Sequence, residues 1–545
     1  MSGLGTRKAA LDRLGDGILD ILVVGGGITG AGIALDGSAR GLRVGVAERG
    51  DFACGTSSKS SKLVHGGLRY LEQRQFGLVR EAATERELLR KLAPHLVEAI
   101  PFALPVTGRQ MRVKFGAGLW AYDALSSFRS LQLHKYLSAN ETEEMLPALP
   151  RGKVTGGFLY GDCKTDDARL VMEILIAAVR RGATVVNHAG VTSLEGTNNG
   201  CSAVVVDAAT GEEFEVRARR VIVAAGVWGD EVERLAEPGS TPRLRPSKGI
   251  HLVFSPKDLP ISRAAGLIPD AEGRRMLFVI PWQDAVLVGT TDTPYTGDMD
   301  RPDVGADDRA YCLDALNASF DLGLTDGHIA GAYAGLRPLI AGKAGATADL
   351  SRTHKVYDIA PGIVGITGGK LTTWRRMAAD AVDRIAPELA CQAKSSTRSI
   401  RLGSSNVDAL RLAVTRRAAV MGVDDDGVTA LIRTFGDRAL DVLDLAEARD
   451  IAGRLDPGHP TLAAAAVYSA RHEMVFHLED FLARRARLAL TDHDAGVGAG
   501  SRAVDLLAGE LGWDEDRRSR EIDEYRRAIE HERGLPLGFG VSGLR

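Results

Sequence analysis

The stretch Leu19-Asp20-Ile21-Leu22-Val23-Val24-Gly25-Gly26-Gly27-Ile28-Thr29-Gly30 decides how the chain opens. Residues 19–24 read as a buried strand, 25–30 as a turn, and 31–40, dominated by small residues, as a helix. Gly41 and residues 43–48 then supply a second strand, completing a βαβ unit. The glycines fall in G-x-G-x-x-G spacing at Gly25, Gly27 and Gly30. Gly25 permits the tight turn, Gly27 lets a diphosphate approach the backbone, and Gly30 lets helix and strand pack closely. Ile28 and Thr29 begin the helix, whose free N–H groups and positive dipole end suit an anion. Glu48 closes the second strand 18 positions after Gly30. A carboxylate there accepts from both ribose hydroxyls and repels a 2′-phosphate. Strand, helix and terminal acid together make this a dinucleotide site rather than an ordinary glycine-rich turn.

Working outward, FAD is expected over a nicotinamide cofactor. The fingerprint lies almost at the N-terminus with no catalytic domain before it, and Val221-Ile222-Val223-Ala224-Ala225-Gly226-Val227-Trp228 is a second strand ending in small residues. In flavoproteins of this fold such a stretch passes close to the cofactor; taken alone it is a buried strand and a turn. Further strands are expected at 183–187, 201–207 and 362–367, with helices at 68–93, 167–181 and 371–385. The region from about 246 to 339 is strand-rich. Composition shifts near 390–405, and long helical runs follow, such as 461–490 and 517–533. The expected fold is α/β: a glutathione-reductase-like FAD-binding Rossmann domain with an inserted antiparallel-sheet substrate domain, plus a C-terminal α-helical domain. The oxidoreductase part is placed at 1–390, with the insert at approximately 75–150 and 240–340, and the helical domain at 391–545.

Bulk composition narrows the function. With 45% hydrophobic residues among 545, the chain can build a sizeable core. A net charge of −3 gives no basic excess for nucleic acid. The scattered cysteines Cys54, Cys163, Cys201, Cys312 and Cys391 have no metal-ligand spacing and read as reduced thiols of the cytoplasm, so no metal is expected. The sequence shows neither a signal-peptide pattern nor an apolar run of about 18 residues.

The segment Gly55-Thr56-Ser57-Ser58-Lys59-Ser60-Ser61-Lys62-Leu63-Val64-His65-Gly66-Gly67-Leu68-Arg69-Tyr70-Leu71-Glu72 closely resembles the FAD-dependent, quinone-linked glycerol-3-phosphate dehydrogenases. The likeness resumes at Gly335-Leu336-Arg337-Pro338-Leu339, at Ser351-Arg352, at Gly365-Ile366-Thr367-Gly368-Gly369-Lys370-Leu371-Thr372-Thr373-Trp374-Arg375, and from Glu473-Met474 to Arg487. It departs at Trp374, where a tyrosine is common. The resemblance implies sn-glycerol 3-phosphate as substrate, dihydroxyacetone phosphate as product, a membrane quinone as acceptor, and a homodimer. It also implies a cytoplasmic protein held peripherally on the inner face of the cell membrane.

The residue types suit that chemistry. A phosphate dianion calls for guanidinium groups, for which Arg69 and Arg352 are candidates, with Tyr70 as hydroxyl donor. Arg337, flanked by apolar residues, and Lys370, after two glycines at a strand end, are expected near the hydroxyl carbon, where positive charge favours an alkoxide. His65 and His354 are the two candidate bases, and His65 could instead position the flavin. Ser57, Ser58 and Lys62 are expected at the pyrophosphate or flavin ring, against the alternative of hydroxyls bonding their own loop. Gly66, Gly67, Gly369, Leu371 and Thr372 complete the expected cofactor contacts.

Between 108 and 136, Arg109, Arg112, Lys114, Arg129 and Lys135 alternate with Met111, Phe115, Leu119, Trp120, Tyr122 and Phe128, a mixture suited to an anionic lipid surface. The competing activities are an oxidase of the same substrate that makes hydrogen peroxide, an amine or amino-acid oxidase with a single arginine clamp, and a non-enzymatic flavin sensor.

Overall fold

The computed structural model describes residues 3–72, 74–126, 132–261, 264–341, 353–492 and 494–537, except the side chains of 69 and 72. Ile18–Val24 forms the middle of a parallel sheet because its residues from Leu19 on are nearly all buried, as a strand covered on both faces must be. Glu213–Val223 flanks it on one side and Val44–Ala47 on the other, both parallel. Ile363–Thr367 and Thr184–Val186 extend the sheet outward, also parallel. The antiparallel strands 189–197 and 200–207 join the lower half of Glu213–Val223.

The fingerprint helix Ile28–Ala39 packs between Asp167–Val179 and Trp374–Ile385. Gly32 makes that contact possible: a Cβ there would stand 2.8 Å from the indole of Trp374, which is fully buried. The tryptophan that departs from the family pattern is therefore a packing residue.

A second, mainly antiparallel sheet has ten strands among the described residues. Ser247–Phe254, Ala285–Gly289, Met276–Trp282 and Ala265–Pro269 run to Glu98–Val106 and Gly156–Lys164, and Ile329–Arg337 pairs with Ser247–Phe254. Gly156–Lys164 lies just beyond the expected 75–150 bound, and the short strand Leu63–Val64 ties the loop that carries His65 to it. The expected helix at 68–93 is two helices, Arg69–Glu72 and Phe76–Leu92, because the chain turns at Arg74 with φ +55°. The run 461–490 is likewise divided, into Ala464–His472, a wide turn Asp480–Arg485 and Leu488–Thr491.

The C-terminal helices have their own apolar core around Val414, Leu431, Phe435, Tyr468, Phe481 and Leu507. Residues 391–406 are not a loose tether: Ile400 and Leu402 are buried, and Leu402 N–H donates to Leu92 O at 2.8 Å. The helical part is fastened to the first sheet by buried ion pairs. Arg484 Nε and Arg485 Nη1 reach Asp51 at 2.6 and 2.8 Å, Arg169 grips Glu473 through two bonds of 2.8 Å, and Arg438 Nη1 meets Glu173 at 3.0 Å. Donor atoms of Asp51, His188 and Asp480 converge within 4.8 Å, yet both carboxylates already hold guanidinium groups.

Candidate active site

One cavity of about 1920 Å³ runs from the fingerprint turn to the second sheet. It exceeds the roughly 300–1,000 Å³ of a small-ligand site. At its first end, Gly25, Gly27, Ile28, Thr29, Glu48, Ser57, Ala225 and Gly226 line the wall. Gly25 sits at φ +111°, and a Cβ there would be 2.6 Å from Ala224 O. Gly30 lies outside the lining, beneath the turn, where a Cβ would overlap Gly25 O. Its role is the close packing expected of it. The Glu48 carboxylate is fixed by two backbone donors, Gly26 N–H to Oε2 at 2.6 Å and Gly50 N–H to Oε1 at 2.8 Å. Each oxygen keeps a second lone pair for a ligand hydroxyl. Burial raises the Glu48 pKa, against the pull of those N–H groups. Ser57 Oγ accepts from Ile28 N–H at 2.9 Å, joining the 56–58 turn to the helix N-terminus.

The two matched segments meet at the far end. His65 N–H donates to Thr372 Oγ1 at 3.3 Å, and Lys370 Nζ stands 3.4 Å from the centroid of the Tyr70 ring. His65, Tyr70, Arg337, Gly369, Lys370, Leu371 and Thr372 all line this chamber. Arg337 is held by Thr290 Oγ1 and Thr291 O, each at 2.9 Å, and faces Asp292 at 3.4 Å. Gly249 leaves it room, since a Cβ there would overlap the guanidinium. Arg352 and the side chain of Arg69 lie outside the described residues.

Five expected site residues point elsewhere. Lys62 is fully buried behind the loop, with Nζ 3.0 Å from Asp167 Oδ1 and from Ser58 O. Burial and then the Arg487 charge bring its pKa down to about 8, against Asp167. Ser58 is buried beside it and also lies off the cavity. Gly66 and Gly67 shape the loop without lining the chamber. His354 lies off the lining, its Nε2 2.9 Å from Asp380 Oδ2 on the helix Trp374–Ile385. That pairing fastens the ring to the helix, outside the chamber lining.

His251 was not expected. It lines the chamber fully buried, stacked on Tyr333 at 4.9 Å and 11°, with Nε2 2.8 Å from Ser61 Oγ. Its Nδ1 has no protein partner among the described residues. Burial, then the charges of Lys62 and Arg337, push its pKa down to about 3, so the ring is neutral. Alternation in the strand could have found it: Ser247, Gly249 and His251 share the cavity side, while Ile250 and Leu252 face the core.

The lining also takes in Met111, Lys114, Phe115 and Leu119 from the amphipathic helix Arg109–Leu125, opposite Leu267, Met276 and Phe278. On the other side of that helix Val113 and Trp120 are 65% and 63% exposed.

A glycine-shaped diphosphate cradle with a fixed ribose acid, opening into a chamber of cations and histidines, defines an FAD-dependent oxidoreductase. The family model described as "FAD dependent oxidoreductase" matches residues 20–375, and that described as "C-terminal domain of alpha-glycerophosphate oxidase" matches 395–518. The chain belongs to the FAD-dependent glycerol-3-phosphate dehydrogenase family, and it binds FAD. It is 39% identical to the glycerol-3-phosphate dehydrogenase of Mycobacterium leprae over 96% of this chain and 90% of that one. It is 36% identical to the mitochondrial glycerol-3-phosphate dehydrogenase SDP6 of Arabidopsis thaliana, over 94% and 86%. The Bacillus halodurans glycerol-3-phosphate dehydrogenase, solved in complex with FAD, superposes with a TM-score of 0.81 at 30% identity, covering 98% of both chains. L-α-glycerophosphate oxidase of Mycoplasma pneumoniae shares the fold, with a TM-score of 0.55 at 17% identity over 70% of this chain and 97% of that one. Among the described residues no helix is long and apolar enough to cross a membrane.

Proposed function

We propose that the chain oxidises sn-glycerol 3-phosphate at C2 to dihydroxyacetone phosphate and passes the electrons to a quinone in a lipid bilayer. The observation that carries the reading is the meeting of His65, Tyr70, Arg337 and Lys370 in one chamber at the end of the dinucleotide groove. The substrate named for the relatives supports it. FAD, when bound, supplies the acceptor for the hydride equivalent that leaves C2.

The protein's own share is orientation and charge. The Tyr70 hydroxyl and the guanidinium groups of Arg69 and Arg352 bind the phosphate. Arg337, immobilised by Thr290 and Thr291, and Lys370, held over Tyr70, stabilise negative charge growing on the C2 oxygen. The His65 imidazole accepts the hydroxyl proton, while neutral His251 adds a fixed dipole without adding charge. The apolar passage under the helix 109–125 suits an aromatic acceptor, and the exposed Val113 and Trp120, with Arg109 and Arg112, suit an anionic bilayer on the inner face of the cell membrane.

The deciding measurement is flavin absorbance after anaerobic addition of glycerol 3-phosphate. Bleaching is expected, and a flavin that stays oxidised refutes the reading. Turnover with a short-chain quinone should leave oxygen untouched; peroxide formed in step with product would instead assign the oxidase activity.

A further inference from the structure

The loop that carries His65 is held from behind by charges that the proposed chemistry does not use. Asp162, on the strand Gly156–Lys164, lines the chamber and is buried. Its Oδ1 accepts from Gly66 N–H at 3.2 Å and from Arg86 Nη1 at 3.0 Å. The same Arg86 nitrogen lies 2.9 Å from the Tyr122 hydroxyl, on the amphipathic helix. A Cβ on Gly66 would overlap that hydroxyl, so the loop rests directly on the triad. A buried ion pair placed here could be purely architectural, and such pairs are weak evidence for stability in themselves. What sets this one apart is its address: one carboxylate oxygen is shared between a buried cation and the peptide next to His65.

We propose that Asp162 is a positioning residue, whose carboxylate fixes the His65–Gly66 peptide and whose charge, set against Arg86, tunes the proton affinity of His65. The inference rests on the reading of His65 as the proton acceptor. The other charged and titratable groups around the loop come from each element packed on it. Lys370 approaches from the turn before the helix Trp374–Ile385, and Tyr70 follows on the loop's own helix. Tyr160 lies on the Asp162 strand, Glu87 meets Arg86 Nη2 at 3.2 Å, and Glu85 on the same helix is paired with Arg375 at 2.8 Å. Lys370 and Arg86 disfavour a protonated His65, and Asp162 is the carboxylate bonded to its loop that opposes them. Burial raises the Asp162 pKa, while Arg86 works against that rise.

The experiment uses the full chain saturated with FAD, and follows the acid limb of kcat/KM for glycerol 3-phosphate with a dye acceptor. Asp162→Asn keeps the volume and removes the carboxylate bonded to the loop, leaving Arg86 with Glu87 on its far nitrogen, so the limb should move to lower pH by about one unit. Arg86→Met leaves the carboxylate alone and should move the limb to higher pH. The double variant removes both charges and should bring the limb back near its parent position, with flavin content unchanged throughout. A merely structural pair would lower stability or flavin content in these variants without opposite shifts. If Asp162→Asn fails to fold, the Arg86→Met and double variants still decide the question. Limbs that stay put, or move the same way in both single variants, overturn the positioning role. His65→Asn should abolish the limb. A limb that survives this substitution overturns the reading of His65, and the proposal with it, whereas unmoved limbs alone overturn only the role of Asp162.

Discussion

Replacing Glu48 by glutamine should release FAD far more readily, and the geometry sets how much. Both carboxylate oxygens are anchored, one by Gly26 N–H and one by Gly50 N–H. Glutamine offers a single oxygen, so its amide must point a donor at one of two backbone donors, or rotate away. Either way the side chain loses the charge and one of the fixed lone pairs that meet the ribose. A hydrogen bond to a charged group contributes about 1.5–3 kcal/mol. At 1.4 kcal/mol per tenfold, the dissociation constant should rise about 10- to 150-fold. Titrating the flavin-free protein with FAD and following the quenching of flavin fluorescence measures this directly. Far-ultraviolet circular dichroism should be unchanged, because the strand and turn are held by backbone bonds. A dissociation constant within about threefold of the parent would show that the ribose is not bound at Glu48 and would refute the reasoning.

Other substitutions test the rest of the site and the fold. Lys370→Met and Arg337→Lys should each lower the rate of flavin reduction by glycerol 3-phosphate by about 10²-fold or more in stopped-flow absorbance, with flavin content intact. Val113→Glu with Trp120→Glu should abolish sedimentation with anionic vesicles while leaving dye-coupled turnover in solution within about twofold, since both side chains face outward. Asp492 has its pKa raised to about 6 by burial and by Asp494 and Asp456 beside it. Its contribution to stability is therefore fully present only below its unfolded value of about 4, and is lost as pH rises through 6. Asp492→Asn should then raise the stability at pH above 6 by about 1 kcal/mol, after allowance for solvent screening, and give no gain in acid; urea unfolding at both pH values checks it.

The parts of the fold written locally were legible. The sheet beginning at residue 18, the fingerprint helix, the strand before Ala225 and the turn before Lys370 all follow from apolar runs punctuated by glycine. The cations of the chamber could be read because they sit at strand ends or between apolar neighbours, where a solvated face makes no sense. What escaped was pairing at long sequence distance. Nothing around His354 announces Asp380, and nothing around Lys62 announces Asp167 or Arg487. A lysine in a serine-rich loop reads as a ligand for anions until a carboxylate more than a hundred positions away claims it. His251 was hidden for a different reason: a region legible only as strand-rich does not say where the strand Ser247–Phe254 begins or which of its faces meets the cavity.

The arginines of the C-terminal segment have a consequence for how the molecule comes apart. Asp51, Asp167, Glu173 and Glu473 are buried acids whose counter-charges are supplied across the junction between the sheet and the helices. A fragment ending near residue 390 would strip Asp51 of both its guanidinium partners, leave Asp167 with Lys62 alone and take Arg438 from Glu173, at a cost of up to several kcal/mol for a buried charge left uncompensated. Neither lobe can therefore melt while the other stays native, and heating should produce one calorimetric transition rather than two.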